Sequence, residues 1–540
     1  MDNVLAALRD GAAADPHAAV LLDAASGQEI SRSALIARAS AWSEAIAAHY
    51  RPRAPVPILG ARTADTLALI VACMLAGRPF AVLNPRLRPV QLCEVLTQAG
   101  AGTLCIDQMG ATCLYRDRRQ LHPIRGITLL RIAPEAWSAP SVKQAGRLQD
   151  SLASLDLART DATPPAEPSG DPAQPGACLF TSGSTGTPKG VLIANADLHA
   201  RAQAEIAAFG LRPGDRVLNL LPWSFDVGLN QVLTALVGRI ALVVLESWLP
   251  VDVVQSVDRY EISGISAVPS IWRGFLGTGT PLAGPALRYA TVSGGSLRPD
   301  EYTALSALLP GVALLKTYGQ TETFRSTLAT PADVAGAPGN VGRPFGGARV
   351  YIVDADLARV PTGETGQVIH TGLGTMLGYL GGGCETKRVP NPFRGVDGDT
   401  ARFAVLTGDL GHLDAAGCLH LHGRADDMVK VHGNRVYLQE VSAHAAALAE
   451  VRASHALAVP GPDGETAIAL AVVLTTAAQA TVDVKALRSR LASILPSYMC
   501  PRSVAIVPDI PLTASGKPDV PALRRAFLDP SHAEQPETLG

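Results

Sequence analysis

Leu179-Phe-Thr-Ser-Gly-Ser-Thr-Gly-Thr-Pro-Lys-Gly190 is the stretch from which the rest of this 540-residue chain is read. An apolar run, Ala177-Cys-Leu-Phe180, leads into ten positions from Thr181 that hold three Gly, five hydroxyl side chains and one Lys. Glycine lets a backbone wrap closely around an anion. Successive N–H groups and hydroxyls then donate to its oxygens, and Lys189 adds positive charge. A flexible Ser/Gly linker needs neither this order nor the lysine. A Walker A loop needs Gly immediately before its Lys and Ser or Thr after it. Here Pro188 precedes Lys189 and Gly190 follows, which disfavours a P-loop kinase or ATPase.

Outward from this loop, the segment Asp161 to Gly176 is packed with Pro, Ala, Ser and Gly and reads as an exposed connection. Short apolar runs such as Ala241-Leu-Val-Val-Leu245 and Val350-Tyr-Ile-Val353 alternate with longer Ala-rich helical stretches. That alternation predicts an α/β architecture. The composition changes near Gly423. Beyond it, Glu465 to Leu474 reads as a strand. Val484, Leu487, Leu491 and Leu495 fall at helical spacing, and Pro496 ends that helix. A compact C-terminal domain fits this pattern.

With 46 basic and 48 acidic residues the formal charge is −2, so nothing in the balance points to nucleic acid or an anionic membrane surface. Met1-Asp2-Asn3 does not open a secretory signal, and no uncharged apolar run reaches the length of a membrane span. The most apolar region, Val232 to Leu245, is broken by Arg239 and reads as a buried helix and strand. A cytoplasmic protein is expected. None of the eight cysteines forms a CxxC pair, so metal-site spacing is absent and scattered core thiols are expected.

The glycine loop resembles the signature of the adenylate-forming superfamily, which includes acyl-CoA synthetases, adenylation domains of nonribosomal peptide synthetases, and luciferases. Further motifs follow in the family's order, from about residue 60 to residue 517. Thr317-Tyr-Gly-Gln-Thr-Glu-Thr323 resembles YGxTE. Ser293-Gly-Gly-Ser296 resembles a Gly-rich turn along the adenine, and Thr407-Gly-Asp409 resembles TGD. Gly423-Arg-Ala-Asp-Asp-Met-Val-Lys430 resembles GRxDxxVK, and Pro511-Leu-Thr-Ala-Ser-Gly-Lys517 resembles PLTxxGK.

The resemblance implies an α/β fold with a large N-terminal domain of βαβ-type subdomains (1–422), a hinge (423–427) and a smaller α+β C-terminal domain (428–540). It implies an ATP site at Thr181, Ser182, Gly183, Ser184, Thr185, Gly186 and Lys189, with Gly294 and Gly295 beside the adenine. Thr317, Tyr318, Gly319, Gln320 and Thr321 complete it, with Asp409 on the ribose and Arg424 on ribose or phosphate. Glu322 would hold Mg²⁺, a hard cation suited to a carboxylate beside phosphates. Asp426 would be the hinge, and Gly433 would let a pantetheine arm pass. Lys517 would bridge the substrate carboxylate and the α-phosphate, where it offsets the charge developing as two anions meet. Thr181, Lys189, Glu322 and Lys517 are thus the expected catalytic set. Cys500 and Ser442 depart from the family pattern; the nucleotide-site residues do not.

By the same resemblance the acyl pocket is lined by Phe225, Asp226, Val227, Asn230, Thr291, Ser293, Thr317, Arg325 and Ser326. In relatives that activate amino acids, an Asp at the place of Asp226 pairs with the substrate ammonium, and a carboxylate facing an apolar pocket needs such a partner. Arg325 offers two alternatives: it pairs with Asp226, leaving the pocket to a non-amino acid, or it binds a second carboxylate of the substrate. The expected reaction is therefore activation of a small carboxylic acid, an amino acid or similar polar acid, followed by transfer to a phosphopantetheine thiol. Leu438 leans toward a carrier protein as acceptor. Only 23 residues follow Lys517, without a phosphopantetheine serine motif, so the carrier is expected in trans. A CoA ligase for a small or medium-chain acid is the alternative. An ATP-binding relative with other chemistry is a third reading.

Overall fold

The computed structural model describes residues 3–85, 87, 89–116, 121, 124–132, 143, 154–157, 173–182, 188–335, 339–425, 428–431, 434–461, 466–479, 482–495, 499–513 and 518–528. Gly183, Ser184, Thr185, Gly186, Asp426, Gly433 and Lys517 lie outside the described residues, as does most of the expected connection 161–176.

Short, fully apolar runs become buried parallel strands because both of their faces are covered. Val56–Leu59, Phe80–Leu83 and Thr103–Ile106 are buried at every position. They lie in an eight-stranded sheet that runs, in spatial order, Gly378–Tyr379, Pro188–Ala194, Pro175–Ser182, Phe80–Leu83, Val56–Leu59, Thr103–Ile106, Thr128–Ile132 and Ser154–Leu157. The helix Ala64–Leu75 covers it. Thr63 caps that helix by accepting from the Thr66 N–H, and an unbroken buried run from Thr66 to Cys73 follows.

The second sheet has nine strands. Its parallel centre comprises Ala313–Tyr318, Tyr289–Val292, Gly264–Ala267, Arg216–Asn219, Ala241–Val244 and Ala19–Asp23. Proline opens the helices Pro250–Arg259, Pro269–Thr278 and Pro299–Ala307, where its missing N–H costs no hydrogen bond. The run Val232–Leu245 is indeed a buried helix, Asp226–Gly238, and a strand, Ala241–Val244.

A third sheet of five strands runs Ala348–Val353, Gly366–Gly372, Phe403–Leu413 and Arg388–Pro390, with Leu419–Arg424 beside Phe403–Leu413. The chain divides into two compact units. One comprises residues 1–351, 369–407 and 416–419; the other comprises 352–368, 408–415 and 420–540. In the second unit Val451–Pro460, Thr466–Leu474 and Ser503–Ile506 form a three-stranded sheet. The expected helix is Val484–Ile494, capped by Asp483, and its Leu487 and Leu491 pack with Leu470 and Val472.

Candidate active site

The glycine-loop strand Pro175–Ser182 turns back as Pro188–Ala194, antiparallel to it, with Thr181 opposite Lys189. The short strand Gly378–Tyr379 joins the outer edge of this hairpin, pairing Gly378 with Leu192 and Tyr379 with Val191. One residue further on, the Leu380 N–H donates to Gly190 O, and on the other side the Met376 N–H donates to Glu322 O. Segment 376–380 therefore bridges the glycine-loop hairpin and the YGxTE-like turn. The Tyr379 hydroxyl donates to Glu322 Oε1 at 2.8 Å, and the Lys189 ammonium lies 5.3 Å from the Tyr379 ring centroid. Burial, then the Glu322 carboxylate, push the Tyr379 phenol well above its ordinary range, so it remains a donor. Tyr379 thus joins two residues that the sequence assigned separately, and no motif marked it.

The turn after strand Ala313–Tyr318 is tight. The Ser326 N–H donates to Tyr318 O, the Phe324 N–H to Gln320 O, and the Gln320 amide to Thr407 O at 2.8 Å. Phe324 and Arg325 both have positive φ, 44° and 80°. Gly319 is required here because a Cβ at that position would stand 2.4 Å from the Arg325 Cα. Ser293 Oγ and Thr317 Oγ1 are 2.7 Å apart, and Thr291 Oγ1 lies 3.2 Å from Ser293 Oγ. These three pocket candidates are buried and meet across neighbouring parallel strands. Gly294 and Gly295 are exposed just beyond.

Asp226 is the first residue of helix Asp226–Gly238, half-buried, where a carboxylate suits the helix dipole. Arg325 does not pair with it. The Arg325 Nη1 lies 3.2 Å from Glu205 Oε1, on helix Asn195–Ala208, and both side chains are 3% exposed. Asp226 has no ion-pair partner among the described residues. Val227 and Ser326 are buried, Phe225 and Thr321 half-buried. Asn230 is wholly buried with neither atom of its amide hydrogen-bonded. Glu205 was missed because a Glu in an Ala-rich helix ordinarily faces solvent.

In the other unit, Arg424 Nη1 lies 3.3 Å from Asp409 Oδ1, and the Ala425 N–H donates to Gly408 O. The TGD-like and GRxDxxVK-like motifs are thus adjacent there. Glu322 offers a hard oxygen donor of the kind Mg²⁺ takes: its Oε1 accepts from Tyr379, while Oε2 makes no hydrogen bond among the described residues.

The strands flanking the glycine-rich segment thus stand beside the YGxTE-like turn, bridged by segment 376–380. The chain belongs to the AMP-binding enzyme family: residues 8–380 match the AMP-binding enzyme domain and residues 440–517 its C-terminal domain. It is an adenylate-forming ligase with a large N-terminal and a smaller C-terminal domain. It is 30% identical over 521 residues to the probable non-canonical nonribosomal peptide synthetase CymA of Salinispora arenicola, covering 95% of this chain and 6% of that one. It is 28% identical over 527 residues to phosphinothricin tripeptide synthetase PhsB of Streptomyces viridochromogenes, covering 96% and 41%. The chain therefore spans less than half the length of these two relatives. In fold it resembles ATP-bound MatB from Rhodopseudomonas palustris, with a TM-score of 0.79 at 24% identity, covering 98% of this chain and 99% of that one.

Proposed function

We propose that this ligase activates a small carboxylic acid, an amino acid or similar polar acid, with ATP and Mg²⁺, and passes the acyl group to the phosphopantetheine thiol of a carrier protein in trans. The observation that carries this reading is the pairing of Arg325 with Glu205, which leaves Asp226 for a substrate ammonium. Two relatives named as peptide synthetases support it.

In the first step a carboxylate oxygen bonds to the α-phosphorus, the bond from that phosphorus to the α,β-bridging oxygen breaks, and pyrophosphate leaves. The carboxylate is already a nucleophile, so no general base is needed; catalysis is positioning plus electrostatics. Thr181, Ser182 and Lys189 hold phosphate oxygens, and Tyr379 fixes the Glu322 carboxylate. Mg²⁺ held by Glu322 would neutralise phosphate charge. Tyr318, Gly319, Gln320, Thr321, Gly294 and Gly295 bed the adenine and α-phosphate side, while Asp409 and Arg424 take the ribose. Lys517 neutralises charge at the α-phosphate. In the second step the thiol gives up its proton to solvent, its sulfur bonds to the acyl carbon, the bond from that carbon to the phosphate oxygen breaks, and AMP leaves. Between the steps the C-terminal domain turns about hinge 423–427 at Asp426, and the arm passes Gly433.

Carboxylate-dependent ATP–pyrophosphate exchange with amino acids, β-amino acids and their desamino analogues tests this. Exchange confined to amino substrates and lost in Asp226→Ala supports the reading; Lys517→Ala controls for the chemistry. Desamino exchange that survives Asp226→Ala sinks it in favour of a CoA ligase. Supplying CoA or a phosphopantetheinylated carrier then identifies the acceptor.

A further inference from the structure

The turn from Tyr318 to Ser326 holds two adjacent residues in the left-handed region, Phe324 at φ 44° and Arg325 at φ 80°. Neither is glycine, and they are 0% and 2% exposed. A side chain in that region costs about 1–3 kcal/mol and persists only where its surroundings hold it. Hydrogen bonds hold most of this turn. The Phe324 N–H donates to Gln320 O, the Gln320 N–H to Thr323 Oγ1 at 3.0 Å, and the Ser326 N–H to Tyr318 O. Phe324 also belongs to a large buried apolar cluster.

Arg325 is held differently. Gly319 presses on its backbone: a Cβ there would stand 2.4 Å from the Arg325 Cα. Its guanidinium meets the Glu205 carboxylate at 3.2 Å, with both side chains 3% exposed. Glu205 lies on helix Asn195–Ala208. One turn earlier on that helix, the buried Arg201 donates to Leu373 O at 3.0 Å. A Cβ on the next residue, Gly374, would stand 3.0 Å from Arg201 Nη2 and 2.2 Å from Thr323 O. The helix therefore runs alongside the turn, with Arg201 near Thr323 and Glu205 at Arg325.

The magnitudes decide what this pair does. Relaxing Arg325 to negative φ re-aims its side chain and draws the guanidinium off Glu205. A buried ion pair that loses a partner costs about 3–5 kcal/mol, more than the strain of one left-handed residue. The pair therefore outweighs the strain, and the turn keeps its shape.

We infer that Glu205 is a positioning residue for the nucleotide: through Arg325 it keeps the Tyr318–Ser326 turn in its strained, binding-competent form. The inference rests on that turn bedding the adenine side of ATP, as proposed above. Glu205 touches no nucleotide itself.

The test is calorimetric titration of the full chain with MgATP, without acid, and a thermal melt of each variant. Glu205→Gln keeps the volume and removes the charge, so its Kd should rise about tenfold or more. Glycine adopts φ 80° without strain. Glu205→Gln/Arg325→Gly should therefore bind within about threefold of wild type, although the ion pair is gone. Glu205→Gln/Arg325→Ala also loses the pair but keeps the strain, and should bind as weakly as Glu205→Gln. An unchanged Kd in Glu205→Gln, or glycine and alanine doubles that bind alike, overturns the inference. Should Glu205→Gln fail to fold, the two doubles still decide it. Tyr318→Ala tests the underlying reading separately. ATP affinity that ignores Tyr318 removes that reading and the inference with it; a Tyr318 effect with doubles that bind alike sinks the inference alone.

Discussion

The Tyr379 hydroxyl donates to Glu322 Oε1 over 2.8 Å while the Lys189 ammonium stands 5.3 Å from the same ring. One side chain on a two-residue strand thus touches an acid and a base that lie far apart in the sequence. A hydrogen bond to a charged acceptor contributes roughly 1.5–3 kcal/mol. Tyr379→Phe removes the donor and keeps the ring beneath Lys189. Pyrophosphate exchange should fall about tenfold in kcat, with little change in melting temperature. Exchange at the wild-type rate would show that Glu322 needs no such restraint.

Gly319→Ala forces a Cβ to within 2.4 Å of the Arg325 Cα, a backbone atom that cannot swing aside. Overpacking of this kind costs about 1–3 kcal/mol. The denaturant midpoint should drop accordingly, and the turn that carries Tyr318 and Arg325 should lose nucleotide affinity with it. A variant as stable as wild type would contradict the geometry.

His370 is fully buried, and burial, then the Arg201 charge, push its imidazole down to about 3. In the unfolded chain the same ring takes a proton below about pH 6.5. Between those values the unfolded state binds more protons, so stability falls as pH falls, by up to about 1.4 kcal/mol per unit well inside the window. Chemical denaturation from pH 7 to pH 4 should show this slope, and His370→Gln should flatten it.

Asp409 and Arg424 lie 3.3 Å apart in the second unit, Asp409 nearly buried and Arg424 partly exposed. If Asp409 accepts from ribose hydroxyls, Asp409→Ala should raise the KM for ATP about tenfold and leave the KM for the acid alone. A 2′,3′-dideoxy nucleotide should show the same loss on wild type and no further loss on the variant.

Much of this was legible from residue order. The apolar runs from Val350 and from Ala241 lie in the strands Ala348–Val353 and Ala241–Val244, and the leucines from Val484 form the expected helix. Their periodicity is local, and burial on both faces leaves an unmistakable apolar run. What escaped was long-range. Tyr379 meets Val191 only through antiparallel pairing of distant segments, and two residues of strand carry no pattern. Glu205 sits in an alanine-rich helix, where a charge ordinarily faces water; only packing of its helix against Asp226–Gly238 turns it inward. The sequence left Arg325 between Asp226 and a second substrate carboxylate; the acid that lies against it in the structure, Glu205, was not among the candidates.

The strands that flank the glycine-rich segment, Pro175–Ser182 and Pro188–Ala194, pair antiparallel with Thr181 opposite Lys189. Antiparallel strands run head to tail, and their peptide dipoles cancel. If Lys189 holds a phosphate as proposed, these paired strands add little standing field of the sort a helix terminus supplies. Lys189 is an exposed ammonium on a flexible stem. Dissolved salt competes directly with such a contact. Such an anchor would be a tether whose tension is set by the surrounding electrolyte.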